Sequence, residues 1–216
     1  DLNKKVLVTR KGEYEAKAIV IASGAKRRKL GVAGEDNFVG RGISYCATCD
    51  GALYRGRHVC VVGGGATAIE DAEYLSAYST VTLIHRRDTL RADEASIRRV
   101  MNDEKVSFMW DSVVSEVKGS NDGLELLVSS TRTGEITSVD CAGCFVAIGT
   151  QPVSELYEGQ IKTVGGYIEA GEDTKTSVEG VFAAGDIRTK SLRQVITAAS
   201  DGATAAYEAT RYIRGI

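Results

Sequence analysis

The sequence predicts an α/β protein in which helices pack on a mainly parallel sheet, and three observations support this prediction. The apolar runs Ala18–Ala22, His58–Val62 and Cys144–Ile148 have the pattern of strands buried on both faces, as in parallel sheets. Residues 66–78 carry apolar side chains at helical spacing and Val81–Ile84 follows as a strand, which makes a strand, turn, helix and strand unit. Hydrophobic residues form 43% and charged residues 26% of the chain, as in globular proteins.

The other segments predict shorter elements and their connections. In chain order these are a hairpin of Val6–Thr9 with Tyr14–Ala18, a glycine-rich connector over Leu30–Gly42, a helix over Ala92–Asn102, antiparallel strands at Val106–Val117 and Leu124–Ser129, a strand and turn over Gly180–Asp186, and a closing helix over Ile196–Arg211. An antiparallel layer is therefore expected beside the parallel sheet.

Composition excludes several classes of function. The 27 basic and 29 acidic side chains give a net charge of −2, which offers no electrostatic footprint for nucleic acid or for an anionic membrane. No apolar run approaches the roughly 18 residues that a membrane span needs. The 24 glycines lack a period of three, and the apolar content is too high for a disordered chain. We therefore expect neither a nucleic-acid partner nor a membrane partner.

A glycine motif, Gly63-x-Gly65-x-x-Ala68, lies between a predicted buried strand and a predicted helix. The first glycine permits a tight turn, the second lets a pyrophosphate approach the backbone, and the small third residue lets helix and strand pack closely. Phosphates are favoured at a helix N-terminus by free N–H groups and the helix dipole. The motif predicts a dinucleotide site, with a glycine turn that binds nothing as the alternative.

A basic cluster follows the strand after this motif. An NAD-binding fold usually places an acid about 20 residues beyond the glycines, where it binds the ribose hydroxyls. Here that position holds His85-Arg86-Arg87, and Arg91 follows one helical turn later. Because cations suit a 2′-phosphate, the cluster predicts NADP(H) rather than NAD(H); a solvated helix start is the alternative. Asp88 is interpreted as a helix cap or a local ion-pair partner.

The cysteine spacing predicts a redox site. Cys46 and Cys49 form a C-x-x-C sequence, which is the spacing of a redox dithiol, and Asp50 directly behind it is placed to exchange a proton. Cys60 lies in the strand before the glycine motif and is expected to pack as a small core residue.

Cys141 and Cys144 form a second C-x-x-C sequence, which raises the question of a four-thiolate zinc site. We disfavour this site because Cys141 lies 95 positions after Cys46 (141 minus 46) and because Cys144 begins an apolar strand. No metal is therefore predicted. The second pair is expected to be structural, and a second dithiol with a separate role remains open.

Taken together, these motifs resemble the low-molecular-weight thioredoxin reductases of the pyridine-nucleotide disulfide oxidoreductase family. The matching segments, which span essentially the whole chain, are Cys46–Gly51, Gly63–Ala68, His85–Arg91, Phe145–Gly149, Gly180–Asp186 and Arg193–Val195. The turn Ala183-Ala184-Gly185-Asp186, where an acid meets ribityl or ribose hydroxyls, is a weak signal alone and gains value from this order.

The resemblance implies a three-layer, Rossmann-like FAD/NAD(P)-binding fold with one NADPH domain inserted into an FAD domain. The expected ranges are 1–31 and 151–216 for parts of the FAD domain and 32–150 for the NADPH domain. Members of this family begin with a flavin-binding G-x-G-x-x-G segment, whereas only 45 residues precede Cys46 here and none has that pattern. The FAD domain is therefore expected to be incomplete, which leaves open whether these residues are active alone.

The resemblance also implies a role for each matching residue. NADPH is expected at Gly63, Gly64, Gly65, Ala66, Thr67, Ala68, His85, Arg86, Arg87, Arg91, Ile148 and Gly149, and FAD at Ala22, Ser23, Gly24, Gly185, Asp186, Arg193, Gln194 and Val195. Electrons would pass from NADPH through FAD to the Cys46–Cys49 pair. Cys49 would face the flavin, Cys46 would attack the disulfide of thioredoxin, and Asp50 would donate a proton. A cytoplasmic homodimer is implied as well.

Alternative functions share this scaffold or part of it. A ferredoxin-linked reductase should not need the basic cluster at residues 85–87, and a peroxiredoxin reductase normally carries an additional N-terminal module. From a different class, the chain could be a non-catalytic NADP(H)-binding module, because no flavin fingerprint is present among these residues.

Overall fold

A computed structural model describes residues 1–216, which divide into two compact units. Unit 1 comprises residues 1–26 and 150–216, and unit 2 comprises residues 27–149. The domain boundaries expected after residues 31 and 150 lie five residues and one residue beyond the observed divisions after residues 26 and 149.

The chain forms sixteen short strands. They are β1 Val6–Thr9, β2 Gly12–Glu15, β3 Ile19–Ile21, β4 Ala25–Arg27, β5 Ile43–Ser44, β6 His58–Val62, β7 Thr80–Ile84, β8 Val106–Met109, β9 Ser112–Ser120, β10 Gly123–Ser130, β11 Ile136–Cys141, β12 Gly143–Val146, β13 Thr150–Pro152, β14 Thr163–Val164, β15 Tyr167–Ile168 and β16 Val181–Ala183.

Five α-helices accompany the strands, and none of them is both long and apolar enough to cross a bilayer. They are α1 Glu35–Phe38, α2 Ala47–Asp50, α3 Ala66–Ser76, α4 Glu94–Met101 and α5 Val195–Arg214, with single 3-10 turns at Gly51–Tyr54, Glu155–Tyr157 and Gly185–Ile187.

Unit 2 is built on a five-stranded parallel sheet in the order β5-β12-β6-β7-β8. On one face, residues such as Val61 and Leu83 form a core with Ala68, Ile69 and Leu75 of α3. The opposite face packs against the antiparallel sheet β11-β10-β9. These buried faces explain the uninterrupted apolar runs of β6 and β7. The predicted three-layer α/β architecture is confirmed.

The prediction for Val106–Val117 as a single antiparallel strand is wrong. Its first part, β8, pairs in parallel with β7, with Phe108 opposite Leu83, and the antiparallel sheet begins only at Ser112. The chain changes direction at Asp111, whose φ of +48° lies in the left-handed region. Strand β11 was not predicted, because three of its six residues are polar and exposed and the segment gives no apolar alternation.

Two predicted helices of unit 2 are present with shorter bounds. Helix α3 ends at Ser76 rather than at residue 78. Helix α4 begins after Asp93, whose carboxylate accepts the Ser96 N–H at 2.9 Å as an N-cap. Of the apolar face predicted for α4, Val100 is buried, whereas Met101 is 50% exposed. The α4 contribution to the core is therefore smaller than its sequence predicts.

Unit 1 contains the predicted hairpin β1–β2, with Val6 paired to Glu15, and a parallel pair of strands, β3 and β16. Helix α5 covers β16 through Ala205 and Ala209, which pack on Phe182. The prediction that the β3 segment is buried on both faces is wrong, because Val20 is 43% exposed in this structure.

A buried ion-pair network joins α5 to the turn after β16. The Asp201 carboxylate accepts the Gly185 N–H at 2.9 Å, two Arg188 N–H groups at 2.7 Å each and the Lys190 ammonium at 2.7 Å. Burial acts to raise the pKa of Asp201, but the hydrogen bonds from Arg188 and Lys190 outweigh it and hold that pKa well below its ordinary value. The network thereby fixes the backbone of residues 185–188.

Asp201→Asn is expected to reduce the free energy of unfolding by about 3–5 kcal/mol, because it leaves the Arg188 charge buried without its counterion. Urea unfolding at pH 7 measures this loss. Since the folded pKa is depressed, the stabilisation is present above the ordinary aspartate pKa of about 3.9 and disappears as the pH falls through the folded pKa. The difference in the free energy of unfolding between wild type and variant should therefore become smaller at acidic pH.

Glu172→Gln provides the control. Glu172 also lies near Arg188, at 3.5 Å, but its side chain is exposed. The expected change is below about 1 kcal/mol. Equal losses in the two variants would contradict the role given to burial.

Candidate functional site

The Cys46–Cys49 pair forms a disulfide at the start of α2, with the two Cα atoms 5.3 Å apart. The Cys46 carbonyl accepts the N–H groups of Cys49 and Asp50, each at 3.2 Å, and the Thr48 hydroxyl lies 3.4 Å from Cys46 Sγ. One short helical turn thus holds both sulfur atoms and the predicted proton donor. The disulfide matches the redox dithiol that the spacing predicts.

Ser44 links this turn to the Asp50 carboxylate and was not identified from the sequence. Its buried hydroxyl donates to Asp50 Oδ2 at 2.6 Å and accepts the Cys46 N–H at 3.1 Å. The carboxylate is therefore oriented through the backbone of a redox cysteine. A serine two residues before the motif gives no periodic signal, so only the fold identifies it.

A buried carboxylate secures the connector that precedes the dithiol. Glu35 accepts the N–H groups of Leu30 and Gly31 and the Tyr45 hydroxyl, each at 2.8 Å. Burial, together with the hydrogen bond to Glu35, raises the pKa of Tyr45 well above its ordinary value. The residue immediately before Cys46 is therefore fixed as a neutral phenol.

The first two glycines of the motif allow close packing around the turn between β6 and α3. At Gly63, where φ is +153°, a Cβ atom would lie 2.4 Å from the Ala147 carbonyl oxygen and 2.8 Å from the Ala68 Cβ. At Gly64 a Cβ atom would lie 2.2 Å from the His85 ring. No side chain fits at either position without displacing its neighbours.

The third glycine has a different environment. The nearest atom to a Cβ at Gly65 would be the Arg91 carbonyl oxygen, at 4.0 Å, so this position is open. Gly65 is the N-cap of the 11-residue helix α3, and no side chain caps that helix end. The Arg91 N–H donates to Gly64 O at 2.7 Å, which holds the Arg91 backbone beside the turn. An open cradle at an uncapped N-terminus suits a pyrophosphate.

The structure places His85 beneath this turn rather than at an exposed position. Its buried imidazole donates from Nε2 to Thr89 O at 3.0 Å and packs against Gly64. Burial lowers the pKa of His85, and the nearby arginines lower it further, despite the hydrogen bond to Thr89. A neutral ring therefore supports the turn at pH 7.

Arg86, Arg87 and Arg91 are exposed and none of them forms an ion pair with a carboxylate. Three cations whose charges are not already paired are available to an anion such as a 2′-phosphate. The guanidinium groups of these arginines are therefore suitable donors for the 2′-phosphate of NADP(H). Ile148 and Gly149, the other residues expected at NADPH, are exposed just beyond β12.

The remaining cysteines lie inside unit 2. Cys60, Cys141 and Cys144 are all buried thiols, and Cys144 lies opposite Cys60 in the sheet register. Hydrogen bonding to Cys141 and burial raise the pKa of Cys60, and burial raises that of Cys144. The expectation that Cys60 packs in the core is confirmed.

The residues expected at FAD all lie in unit 1. Ala22, Ser23, Gly24, Gly185 and Asp186 follow the carboxyl ends of β3 and β16, whereas Arg193, Gln194 and Val195 lie at the start of α5. The Ala184 N–H donates to Ile21 O at 2.9 Å, which brings the end of one strand next to Ala22 at the end of the other. Ser23 Oγ donates to Val153 O at 2.7 Å, and Gly24 O accepts the Val153 N–H at 2.9 Å. Carboxyl ends of adjacent parallel strands are where ligands bind in open α/β sheets.

Two buried polar atoms of this segment lack a hydrogen-bond partner within the protein. They are Asp186 Oδ1, next to the network of Asp201, and Arg193 Nε, whose guanidinium lies 4.1 Å from the Tyr167 ring centroid. Buried polar groups are normally hydrogen-bonded, so these atoms have unused capacity for a polar ligand. An acceptor and a donor of this kind fit ribityl hydroxyls and polar ring atoms of FAD. Gln194 caps α5 with Thr197, and Val195 is exposed beside it.

Within unit 2 the dithiol turn packs against helix α3, the helix that begins at the glycine turn. A Cβ at Gly51, directly after the dithiol turn, would lie 2.8 Å from Leu75 and 3.2 Å from Tyr74 of α3. The glycine turn forms the N-terminus of that helix. The two chemically active segments are therefore parts of one packed body.

Comparisons with known proteins agree with this arrangement. The family model for pyridine nucleotide-disulphide oxidoreductases matches residues 1–202. A thioredoxin reductase of Treponema pallidum (strain Nichols) is 44% identical over 208 residues, which cover 96% of this chain and 68% of that protein. One from Bacillus subtilis (strain 168) is 44% identical over 212 residues, which cover 97% of this chain and 67% of that protein. The crystal structure of thioredoxin reductase from Streptococcus pyogenes MGAS5005 has a TM-score of 0.91 at 41% identity, covering 98% of this chain and 70% of that one.

Gly64→Ala and Gly65→Ala are expected to differ sharply in stability. The first places a methyl group inside contact distance of the buried His85 ring and should cost about 1–3 kcal/mol in urea unfolding, as overpacking typically does. The second enters open space, and its stability should stay within about 1 kcal/mol of wild type. A larger loss at Gly65 than at Gly64 would contradict the packing described.

Proposed function

The chain belongs to the pyridine nucleotide-disulphide oxidoreductase family, and we propose that it reduces the disulfide of thioredoxin with electrons from NADPH. The observation that carries this proposal is the Cys46–Cys49 disulfide, formed in the unit that also holds a glycine turn and three unpaired arginines. A protein that only binds NADP(H) would need the glycine turn and the arginines but not the disulfide.

The nucleotide is bound, in this proposal, along the edge formed by the glycine turn and the basic cluster. The open position at Gly65 and the N-terminus of α3 accept the pyrophosphate. Arg86, Arg87 and Arg91 bind the 2′-phosphate through charge-assisted hydrogen bonds. Ile148 and Gly149 line the nicotinamide end. The Gly63–Ala68 segment supplies backbone contacts, and His85 supports them from below.

FAD, when bound, supplies the relay of two electrons between NADPH and the disulfide. In this proposal Asp186 and Arg193 satisfy their unpaired polar atoms on it, with the backbone of Gly185 held in place by Asp201. Ala22, Ser23 and Gly24 lie at the neighbouring strand end, and Gln194 and Val195 begin α5 beside Arg193. Residues 1–31 and 151–216 then belong to the FAD domain and residues 32–150 to the NADPH domain.

The chemistry of the dithiol follows from thiol exchange. Two electrons and two protons convert the Cys46–Cys49 disulfide into two thiols. The Cys46 thiolate attacks one sulfur of the thioredoxin disulfide, and a mixed disulfide forms as the other sulfur leaves as a thiolate. The Cys49 thiolate then attacks Cys46 Sγ and releases reduced thioredoxin. Asp50, oriented by the Ser44 hydroxyl, donates a proton to the departing sulfur.

Compartment and assembly are parts of the same proposal. Three free thiols beside a redox disulfide suit a reducing compartment, which supports a cytoplasmic location. A homodimer is proposed from the family resemblance.

Arg86→Ala with Arg87→Ala is expected to weaken binding of NADPH far more than binding of NADH. Each charge-assisted hydrogen bond contributes roughly 1.5–3 kcal/mol, so the double variant should lose about 100-fold or more in NADPH affinity. Isothermal titration with both nucleotides measures the two losses. Arg98→Ala with Arg99→Ala, which removes the same charge from α4, is the control. Equal losses for NADPH and NADH would refute the role of the arginines.

Cysteine variants test the exchange chemistry without FAD. The chain is reduced with dithiothreitol, freed of reductant and mixed with oxidised thioredoxin. Cys49→Ser is expected to accumulate a mixed disulfide through Cys46, detected by intact mass spectrometry, because the resolving thiol is gone. Cys46→Ser should form none and should still bind NADPH. Cys141→Ala controls for the loss of a thiol outside the pair. A mixed disulfide formed by Cys46→Ser instead would reverse the assigned roles.

A further inference from the structure

The basic cluster is held from behind by a corner of the chain that no motif in the sequence marks. The N–H of Asp111 donates to Arg87 O at 3.3 Å, and the N–H of Ser112 donates to His85 O at 2.9 Å. The corner is in turn fixed by Thr131, whose N–H and hydroxyl both donate to Asp111 O, at 2.6 and 3.0 Å. The backbone that carries the cluster is thus attached to the turn between β10 and β11.

Two carboxylates lie at this corner, and one arginine forms an ion pair with each of them. Arg132 Nε lies 2.7 Å from Asp111 Oδ2, and Arg132 Nη2 lies 3.3 Å from Asp88 Oδ2. Asp88 directly follows Arg87 in the chain, and Asp111 is hydrogen-bonded to the Arg87 carbonyl. Asp111 is only 21% exposed, so its charge is less screened by water than that of Asp88, which is 64% exposed.

In this arrangement both carboxylates already have an arginine partner outside the basic cluster. Without Arg132, neither the carboxylate of Asp88, the next residue after Arg87, nor that of Asp111, whose N–H bonds to the Arg87 carbonyl, would have an arginine partner. They would compete for the guanidinium groups of the cluster and would repel a phosphate bound there, since unscreened charges act on one another over roughly a Debye length of 8–10 Å. With Arg132 in place, both carboxylates are already paired and the cluster remains available.

We propose that Arg132 determines nucleotide specificity as a positioning residue. It acts through Asp88 and Asp111 and keeps Arg86, Arg87 and Arg91 free for the 2′-phosphate. The inference rests on the proposed NADPH site. It assigns the turn between the second and third strands of the antiparallel sheet to that site, although this sheet packs on the face of the parallel sheet opposite to α3.

The probes are adenosine 2′,5′-bisphosphate and adenosine 5′-monophosphate, which differ only in the 2′-phosphate. Their dissociation constants are measured by isothermal titration on the full chain at one ionic strength. Arg132→Ala is expected to raise the dissociation constant of the bisphosphate about three- to tenfold and to change that of the monophosphate by less than about twofold. Arg132→Lys, which keeps the charge, should retain most of the preference. Arg99→Ala removes another exposed arginine that is paired with Glu73 and should change neither value.

A rescue separates this electrostatic role from a merely structural one. In the triple variant Arg132→Ala, Asp88→Asn and Asp111→Asn, neutral amides replace both carboxylates. Most of the wild-type preference for the bisphosphate should therefore return. Asparagine is well suited to position 111, because it tolerates the left-handed φ of +48° found there.

The outcomes are distinguishable. If the wild-type chain does not prefer the bisphosphate, the proposed NADPH site is wrong. If wild type prefers it but Arg132→Ala does not reduce the preference, or the triple variant fails to restore it while remaining folded by circular dichroism, the role of Arg132 is overturned and the NADPH site stands.

Discussion

Close backbone packing at the turn between β6 and α3 is the constraint on which the site in unit 2 depends. The Gly63 position faces the Ala147 carbonyl, and the Gly64 position faces the His85 ring, so neither has room for a side chain. The same packing places the ends of β6, β7 and β12 side by side, and Gly63 N–H bonds to Ile84 O at 3.1 Å. The residues proposed to contact the nucleotide are arranged around this edge, and of the three motif glycines only Gly65 is open.

In unit 1 a buried charge network, rather than close backbone packing, fixes the turn that follows β16. Its parallel pair of strands is too short to bury a large core, and the turn at residues 185–188 is held instead by the Asp201 carboxylate with Arg188 and Lys190. A buried charge network is costly to form but specific in geometry, since each charge must find its partner. Asp186 can then keep a buried oxygen without a protein partner, because its backbone is fixed by neighbours rather than by its own side chain.

The sequence was sufficient for the features that depend on local pattern. The strand, glycine turn and helix at residues 58–76 and the redox dithiol were predicted from apolar runs and motif spacing, and the three-layer fold was implied by the family resemblance. The predictions that failed concern features that depend on tertiary contacts. Strand β8 was assigned to the wrong sheet because strand pattern does not specify a partner, and the change of direction at Asp111 has no glycine to mark it. Ser44 and Arg132 are polar residues whose roles exist only through contacts distant in sequence. Asp201 did offer a signal, because it occupies the buried face of α5 with Ala205 and Ala209.

The packing of unit 2 also limits how electrons can reach the disulfide. The dithiol turn and the glycine turn are joined rigidly through α3, so their separation is set by the helix. The only other thiols, Cys60, Cys141 and Cys144, lie in the core, and the raised pKa values of Cys60 and Cys144 keep those two groups protonated. Thiol exchange requires a thiolate, so the buried thiols of Cys60 and Cys144 are poorly suited to exchange with the disulfide. FAD carries electrons between nucleotide and disulfide in this family, and the proposed function gives it the same role here.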